Sequence, residues 1–242
     1  MAETGHARNV ANLGTMIAFC TGYGADYDPT NALIQLGPLN LALANGQAAL
    51  DDVQLKIAPW KNEVADRENV YKGVRPLTTQ LLAAFDACGA DKNKVDNLRT
   101  YHRQVHGARA KALPEDDPGT PEDEAAGNSV AHLSYVQIAE AFGQIRAILA
   151  AEPLYIPNEA HLTLVTITAL HAAMEAANVS VTAQAVPLSN SRIARNVTLY
   201  DDETGILARA ALVKKYVKSI YGATSPQYAQ VSGLEFTPPR TR

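Results

Sequence analysis

YDPTNALIQLGPLNLALANGQAALDDVQLKIAPWKNEVADR (residues 27–67) and YIPNEAHLTLVTITALHAAMEAANVSVTAQAVPLSNSRIAR (residues 155–195) are two copies of one segment. They align without a gap at a spacing of 128 residues, and 11 of the 41 aligned pairs are identical. Both copies hold two prolines at the same places: Pro29, Pro59, Pro157 and Pro187. A repeat of this length indicates a duplicated supersecondary unit, so one fold has to suit both copies.

The two copies differ in their local secondary-structure signals. In the second copy, residues 161–168 and 178–186 alternate and are rich in β-branched side chains, which is typical of strands. In the first copy, residues 39–50 are mostly leucine, alanine and asparagine. The alanines that both copies share recur at a helical spacing: Ala44, Ala48, Ala49, Ala172, Ala176 and Ala177. We therefore predict helices in both copies, with strands in 161–186 as the alternative.

The prolines within the copies predict where these helices break. The residue before a proline disfavours helical geometry, so Pro59 and Pro187 predict a tight turn that makes each copy a helical hairpin. A shared kink is the alternative. Pro38 is expected to kink or interrupt the helix of the first copy.

Three further helices follow from apolar periodicity. The clearest lies before the C-terminal segment, where apolar residues recur every three or four positions and Gly222 ends the helix: Ile206, Ala210, Val213, Val217 and Ile220. A second is expected to end at Gly89: Leu77, Leu81, Ala84, Phe85 and Cys88. A third has Asn128 or Ser129 as its predicted N-cap: Val136, Ala139, Phe142, Ile145 and Leu149.

Together these elements predict an all-α bundle of six to eight helices. It consists of two repeats of about three helices each, related by a pseudo-two-fold axis. The first repeat covers residues 1–106 and the second covers 129–236. An acidic, proline- and glycine-rich linker occupies 107–128, where we expect limited proteolysis to cut first, and an extended tail occupies 237–242.

The C-terminal segment carries a resemblance. It contains RNV (195–197), VKKYVKS (213–219), YGA (221–223), SPQY (225–228) and GLEF (233–236). In these motifs, which span about 45 residues, the chain resembles the ending of an uncharacterised group of bacterial all-helical hypothetical proteins. The resemblance implies a helical fold and a bacterial source, and it implies no activity or functional residue.

Composition limits the classes of function. The formal net charge of −4 and the pI near 5.9 argue against general nucleic-acid binding. The mean hydropathy of −0.13 is that of a globular protein, and we expect neither a signal peptide nor a membrane span. Two cysteines, Cys20 and Cys88, fit a reducing compartment, although a disulfide between them is possible. We expect a cytoplasmic protein.

The chain shows no motif for catalysis or cofactor binding. Phosphate-binding, dinucleotide-binding, nucleophile-elbow and zinc-protease patterns do not occur in it. His102 and His106 have the i, i+4 spacing of helical metal ligands, but three arginines surround them: Arg99, Arg103 and Arg109. A solvated basic helix end is the favoured interpretation. We therefore expect no enzyme activity, no metal and no cofactor.

Two polar pairs are shared by both copies and are the only candidate site residues. They are Asn62 with Asn190, and Arg67 with Arg195. The structural interpretation has each asparagine cap a helix start and each arginine bond across the bundle. The functional interpretation has the pseudo-two-fold axis bring the two arginines together as an anion clamp.

Two functions remain compatible with these observations. The first is a non-catalytic structural or protein-interaction component, which could self-assemble and whose partner is a protein. The alternative is a helical bundle that binds an anion or small molecule at a site between the repeats.

Overall fold

The computed structural model describes residues 4–107 and 134–238, and in these ranges every regular element is a helix. The predicted all-α class is confirmed, and so is the choice of helix over strand for residues 161–186. The helices are α1 Thr4–Gly22, α2 Leu36–Tyr71, α3 Val74–Ala87, α4 Lys92–His106, α5 Tyr135–Ala150, α6 Leu164–Tyr200, α7 Ile206–Tyr221 and α8 Pro226–Ser232. Single-turn 3-10 helices occupy Gly24–Asp26, Ala32–Ile34 and Ala160–Leu162.

The chain forms two compact units. One consists of Met1–Lys61 with Gln184–Arg242, and the other of Asn62–Ala183, so the boundaries fall inside α2 and α6. These units combine segments from both halves of the sequence. The division into repeats at 1–106 and 129–236 stays a prediction. The predicted linker lies outside the described residues except for Gly107, and so do residues 239–242 of the predicted tail.

The first unit packs around α1 and α7. The apolar stripe predicted for α7 is buried through Val217, whereas Ile220, near its end, is exposed. Gly46 of α2 allows α2 to approach α7 closely, since a Cβ at this position would lie 2.7 Å from Cδ1 of Ile206 in α7. The core of this unit includes Leu13, Met16, Leu39, Leu199, Val213 and Val217.

The C-terminal segment of the first unit is held on α1. The Asn9 amide donates to the Thr237 carbonyl (2.8 Å) and accepts from the Thr237 amide (2.9 Å). Asn12 donates to the Glu235 carbonyl (2.7 Å), and Lys214 of α7 donates to the Leu234 carbonyl (2.6 Å). Asn9 is completely buried. The backbone of residues 234–237 is therefore fixed by side chains of the same chain.

The second unit packs α3, α4 and α5 with the adjoining parts of α2 and α6. Helix α3 buries Leu81 and Phe85, as its periodicity predicts. Helix α5 begins after Ser134, which forms a capping box with Gln137. The predicted caps Asn128 and Ser129 are wrong because the helix begins later, and both lie outside the described residues. The core of this unit includes Leu98, Phe142, Ile145, Leu149, Ile167 and Met174.

Pro59 and Pro187 lie inside continuous helices of 36 and 37 residues. The predicted turn, and with it the helical hairpin, is wrong. A proline inside a helix costs about 3 kcal/mol, because it removes one hydrogen bond and its ring clashes with the carbonyl four residues earlier. Burial of residues on either side, such as Val181 and Leu188 around Pro187, offsets that cost. Pro38 sits in the first turn of α2, where an amide donor has no partner within the helix, so it does not interrupt α2.

A tyrosine fixes the chain before each long helix. The Tyr27 hydroxyl donates to the Ile34 carbonyl at 2.7 Å, and α2 begins two residues later. The Tyr155 hydroxyl donates to the Leu162 carbonyl at 2.8 Å, and α6 begins two residues after that carbonyl. Each bond closes a loop of the same length, with a 3-10 turn at its end.

Candidate functional site

Helix α6 buries one narrow row of side chains. The row repeats every seven residues and contains Ile167, Met174, Val181, Leu188 and Arg195. A seven-residue step advances the helix by nearly two full turns, so these side chains lie above one another on one face. Ile167 and Met174 of this row belong to the core of the second unit, and Leu199 is the buried residue of α6 in the core of the first unit.

The opposite face of α6 is also apolar, and it is exposed. We call it the α6 stripe: Val165, Ala169, Ala172, Ala176, Val179, Ala183, Val186, Asn190, Ile193 and Val197. Its five large side chains, the four valines and Ile193, are between 54 and 81% exposed. The spacing alternates between four and three residues, which is the d and a pattern of a coiled-coil seam.

Two apolar faces on one helix are unusual for a helix that covers a core on one side only. A surface helix of a globular protein normally carries polar residues opposite its buried face. Monomeric proteins rarely leave a long contiguous apolar patch open, and such patches mark interaction sites. The α6 stripe therefore has the properties of a surface that another molecule covers.

Helix α2 repeats this arrangement with more polar residues. Its buried row contains Leu39, Gly46 and Val53. Its exposed stripe, the α2 stripe, consists of Gly37, Leu41, Ala44, Ala48, Asp51, Leu55, Ala58, Asn62, Ala65 and Asn69. Each position corresponds to one of the α6 stripe at the repeat spacing of 128 residues. The α2 stripe carries a charge at Asp51, whereas the α6 stripe carries none.

In the first unit the two stripes border one groove. Leu41 of α2 and Val197 of α6 line an open groove of about 520 Å³, together with Arg209 of α7. Arg209 is anchored, because it donates to the Leu33 carbonyl at 2.6 Å. One apolar residue from each stripe therefore lines this groove, which is open at the surface of the first unit.

A polar network ties α2 to α6 in the first unit. The Ser191 hydroxyl donates to Asp52 (2.6 Å), and the Lys56 ammonium donates to both Asp52 (2.8 Å) and Ser191 (2.7 Å). The hydrogen bond from Lys56, followed by that from Ser191, lowers the pKa of the Asp52 carboxyl. Ser191 is buried, so the network fixes the lateral position of the two helices.

The four residues predicted from the repeat fall on two different faces. Asn62 and Asn190 are exposed members of the stripes, and both are mid-helix, so the predicted capping role is wrong. Arg67 and Arg195 follow five residues later, about 140° around the helix, on the buried rows. The structure does not bring asparagine and arginine of either copy to one point, and the anion clamp stays a prediction.

The two arginines have different surroundings. In the first unit Arg195 is buried and donates through Nε and Nη2 to Oδ1 of Asn196. In the second unit the Arg67 guanidinium lies 4.1 Å from the centre of the Tyr135 ring, and its buried Nε makes no hydrogen bond. Tyr71 packs edge-on against Tyr135 and donates to its carbonyl at 2.8 Å. Burial raises the pKa of the Tyr71 hydroxyl.

The structure also shows the surroundings of the histidines and cysteines singled out in the sequence. The rings of His102 and His106 lie 4.2 Å apart between centres and are tilted by 32°. Burial, followed by the charge of His106, lowers the pKa of His102. Within residues 4–107 and 134–238, no three potential metal ligands come together. Both cysteines are free thiols, and burial raises the pKa of Cys20 to about 11. Cys20 is therefore protonated and unreactive at neutral pH.

Comparison with known proteins gives no relative. No family model matches the chain, and no curated protein or solved structure matches it. Helix α6 is, among the described residues, long and apolar enough to cross a membrane by length and composition. A single helix of this kind is weak evidence, because core helices of soluble proteins pass the same test. The expected absence of a membrane span stays a prediction.

The two stripes are not among the features predicted from the sequence, although their signal is present there. Val165, Val179, Val186 and Ile193 lie at seven-residue steps or multiples of seven. The buried row is equally apolar and has the same period, so the sequence did not show that α6 has two separate apolar faces.

Proposed function

We propose that this protein is a non-catalytic structural or protein-interaction component that binds a partner protein through the α6 stripe, with the α2 stripe beside it. The observation that carries the proposal is the exposed seven-residue pattern opposite the buried row of α6. Knobs of this spacing fit into the holes of a facing helix. The uncharged surface gives no basis for binding nucleic acid or a charged substrate.

The energetics favour a covered stripe. Complete burial of a valine or isoleucine side chain stabilises a protein by about 1.5–3 kcal/mol. Five such side chains on the stripe are more than half exposed, so several kcal/mol become available when a partner covers them. Association also costs about 4–15 kcal/mol, because the two molecules lose translational and rotational freedom. The free energy gained by burial offsets this cost. Neighbouring alanines and the α2 stripe add area to the contact.

As part of this proposal, the two stripes arose by duplication of one helical unit. The repeat spacing of 128 residues relates the starts of α2 and α6, the hydrogen bonds of Tyr27 and Tyr155, and the members of the stripes. Duplication of a helical unit gives one chain two equivalent surfaces related by pseudo-two-fold symmetry. The C-terminal resemblance supports a bacterial source for the protein.

Single charged substitutions test the stripe. Ile193→Glu puts an acid in the centre of the proposed contact, and Ala211→Glu puts the same acid on an exposed position of α7. Sedimentation of each variant over a range of concentrations, alone and in the source cell extract, measures association. We expect Ile193→Glu to lose association and Ala211→Glu to keep it. Equal association of both variants and the unchanged chain would contradict the proposal.

The alternative, an anion-binding bundle, is favoured by one observation in the second unit. The Nε atoms of Arg67 and Arg146 are buried and have no hydrogen-bond partner. An anion could accept from such a donor. Titration calorimetry with inorganic phosphate and sulfate tests this function, with Arg67→Lys as the variant that should weaken binding. No heat with either anion removes the alternative.

A further inference from the structure

We infer that the partner on the α6 stripe is a second copy of this chain, paired in parallel so that Asn190 faces Asn190 of the copy. This inference rests on the proposed function and names its partner. Asn190 is the only polar member of the α6 stripe, among four valines, four alanines and one isoleucine. It occupies an a position of the seven-residue pattern, where a single asparagine specifies register and oligomeric state in coiled coils.

The hydrogen-bonding groups of the Asn190 side chain favour another asparagine as the residue that faces it. A buried amide is costly unless both its donors and its acceptor find partners. Another asparagine supplies an acceptor and donors at the same height of the helix. Parallel pairing about a two-fold axis brings the two Asn190 side chains to one level. Antiparallel pairing would generally place each of them against apolar side chains.

The residues beside the stripe indicate how the partner is selected. Coiled-coil partners of different sequence are usually distinguished by charges at these flanking positions. In α6 the flanks are Thr166, Thr168, Ala173, Glu175, Ser180, Thr182, Pro187, Ser189, Ala194 and Asn196. Glu175 is the only charged residue, and in a parallel pair it faces Ser180 of the copy. An uncharged flank of this kind complements an identical one, with no like charges in opposition.

The extent of the surface matches what a stable dimer needs. The α6 stripe has ten positions and its flanks have ten more, and specific interfaces of standard size use about 20–30 residues on each side. In the first unit the α2 stripe lies beside α6 and extends this area. Its single charge, Asp51, accepts from Gln47 at 3.1 Å and suits the solvated rim. The centre of the interface is therefore α6.

The experiment measures mass, register and orientation in the full chain. Sedimentation and native mass spectrometry of the unchanged protein should give a dimer, and Ile193→Glu should raise the dimer dissociation constant by roughly 100-fold or more, since it buries an unpaired charge. Asn190→Val should associate more tightly but as a mixture of stoichiometries. Its control, Asn97→Val at an exposed position of α4, should leave the dimer unchanged.

Orientation is tested by oxidation of single cysteine variants. Parallel pairing places residue 193 opposite its own copy, so Ile193→Cys should form a disulfide-linked dimer under mild oxidation. Ala211→Cys on α7 is the control and should stay unlinked. Cys88 is partly exposed, so it is replaced by serine in both variants. The buried Cys20 should not interfere, because its thiol is protonated at neutral pH.

Each other result overturns the inference in a recognisable way. If the Ile193→Cys dimer does not form a disulfide, or if the Asn190→Val protein keeps a single stoichiometry, the parallel asparagine pairing is wrong. The proposed function is not affected by either result. A chain that stays monomeric at all concentrations removes the second copy as the partner. If that monomer floats with phosphatidylcholine vesicles and Ile193→Glu abolishes flotation, the stripe binds lipid, and the proposed function fails as well.

Discussion

The two faces of α6 can be compared residue by residue. The buried row has Ile167, Met174, Val181 and Leu188, and the stripe has Val165, Val179, Val186 and Ile193 at the same seven-residue step. Both rows are apolar, yet one is almost inaccessible and the other is more than half exposed. β-branched residues occur in both rows, since Ile167 and Val181 belong to the buried one. Met174 and Leu188 have no counterpart in the stripe, which has alanines between its large side chains.

This difference teaches that apolar content does not identify the core face of a helix. Long, flexible side chains fill the irregular space of a core built from several elements. Alanine, valine and isoleucine at alternating three- and four-residue spacing form a regular apolar seam along one face of a helix. Substitutions on and around the two faces test whether they have these separate roles, beginning with the largest expected effect.

Truncation of the buried row should destabilise the fold strongly. Met174→Ala removes a fully buried side chain, and such changes cost about 2–5 kcal/mol of unfolding free energy. Val179→Ala, on the stripe, is the matched control and should change that free energy by less than about 0.5 kcal/mol in dilute solution. Urea unfolding at low protein concentration measures both. Equal losses would show that the two faces do not differ in role.

The polar face of α1 differs from the α6 stripe, because the C-terminal segment of the same chain covers it. Asn9→Ala removes both hydrogen bonds to Thr237 and should cost about 1–3 kcal/mol of unfolding free energy. Asn12→Ala removes one bond from a partly exposed residue and should cost less. Thermal unfolding and proteolysis of the C-terminal segment report the two variants. An Asn9→Ala protein with unchanged stability would mean that the segment is not held by α1.

The tyrosines that precede the long helices allow a direct comparison of the two copies. Tyr27→Phe and Tyr155→Phe each remove one hydrogen bond from a hydroxyl to a buried carbonyl, and each should cost about 1–2 kcal/mol of unfolding free energy, measured by urea unfolding. Equal losses support the duplication. Losses that differ by more than the experimental error count against equivalent roles of the two copies.

The smallest effect concerns the network between α2 and α6. The pKa of Asp52 is lowered in the folded state, so its contribution to stability is present above the ordinary value near 3.8 and is lost as the pH falls through the folded value. Asp52→Asn should therefore flatten the decline of the thermal midpoint between about pH 5 and pH 3 relative to the unchanged chain. Asp51→Asn, at the neighbouring exposed position, is the control. A steeper decline in Asp52→Asn would contradict the assignment.

Much of the fold could be predicted from local sequence, because periodicity and glycine stops are local signals. Helices α3, α5 and α7 follow from their apolar spacing, and Gly89 and Gly222 end two of them with positive φ angles. The turns predicted at Pro59 and Pro187 are wrong, because packing elsewhere in the fold offsets the local cost of a proline, as the buried Val181 and Leu188 do around Pro187. Local rules do not include that energy.

The candidate site was predictable only in part. The repeat in the sequence singles out Asn62, Asn190, Arg67 and Arg195, but it does not show that the asparagines face outward and the arginines inward. These faces exist only if each helix continues through Pro59 or Pro187. A prediction that ends the helix at the proline cannot assign residues before and after it to the same face. A period of seven carried across the prolines puts the stripe residues on one face, but the buried row has the same period, so only the structure shows which face is exposed.

The two prolines have a further spectroscopic consequence. Neither carries an amide proton, so the carbonyls of Leu55 and Ala183, four residues earlier, have no donor within their helices. Leu55 and Ala183 are stripe residues, one on each long helix. A ¹³C label at either carbonyl would give an infrared band that reports contact with water there. Each helix thus contains a natural probe of hydration, which shifts when the stripe becomes dry.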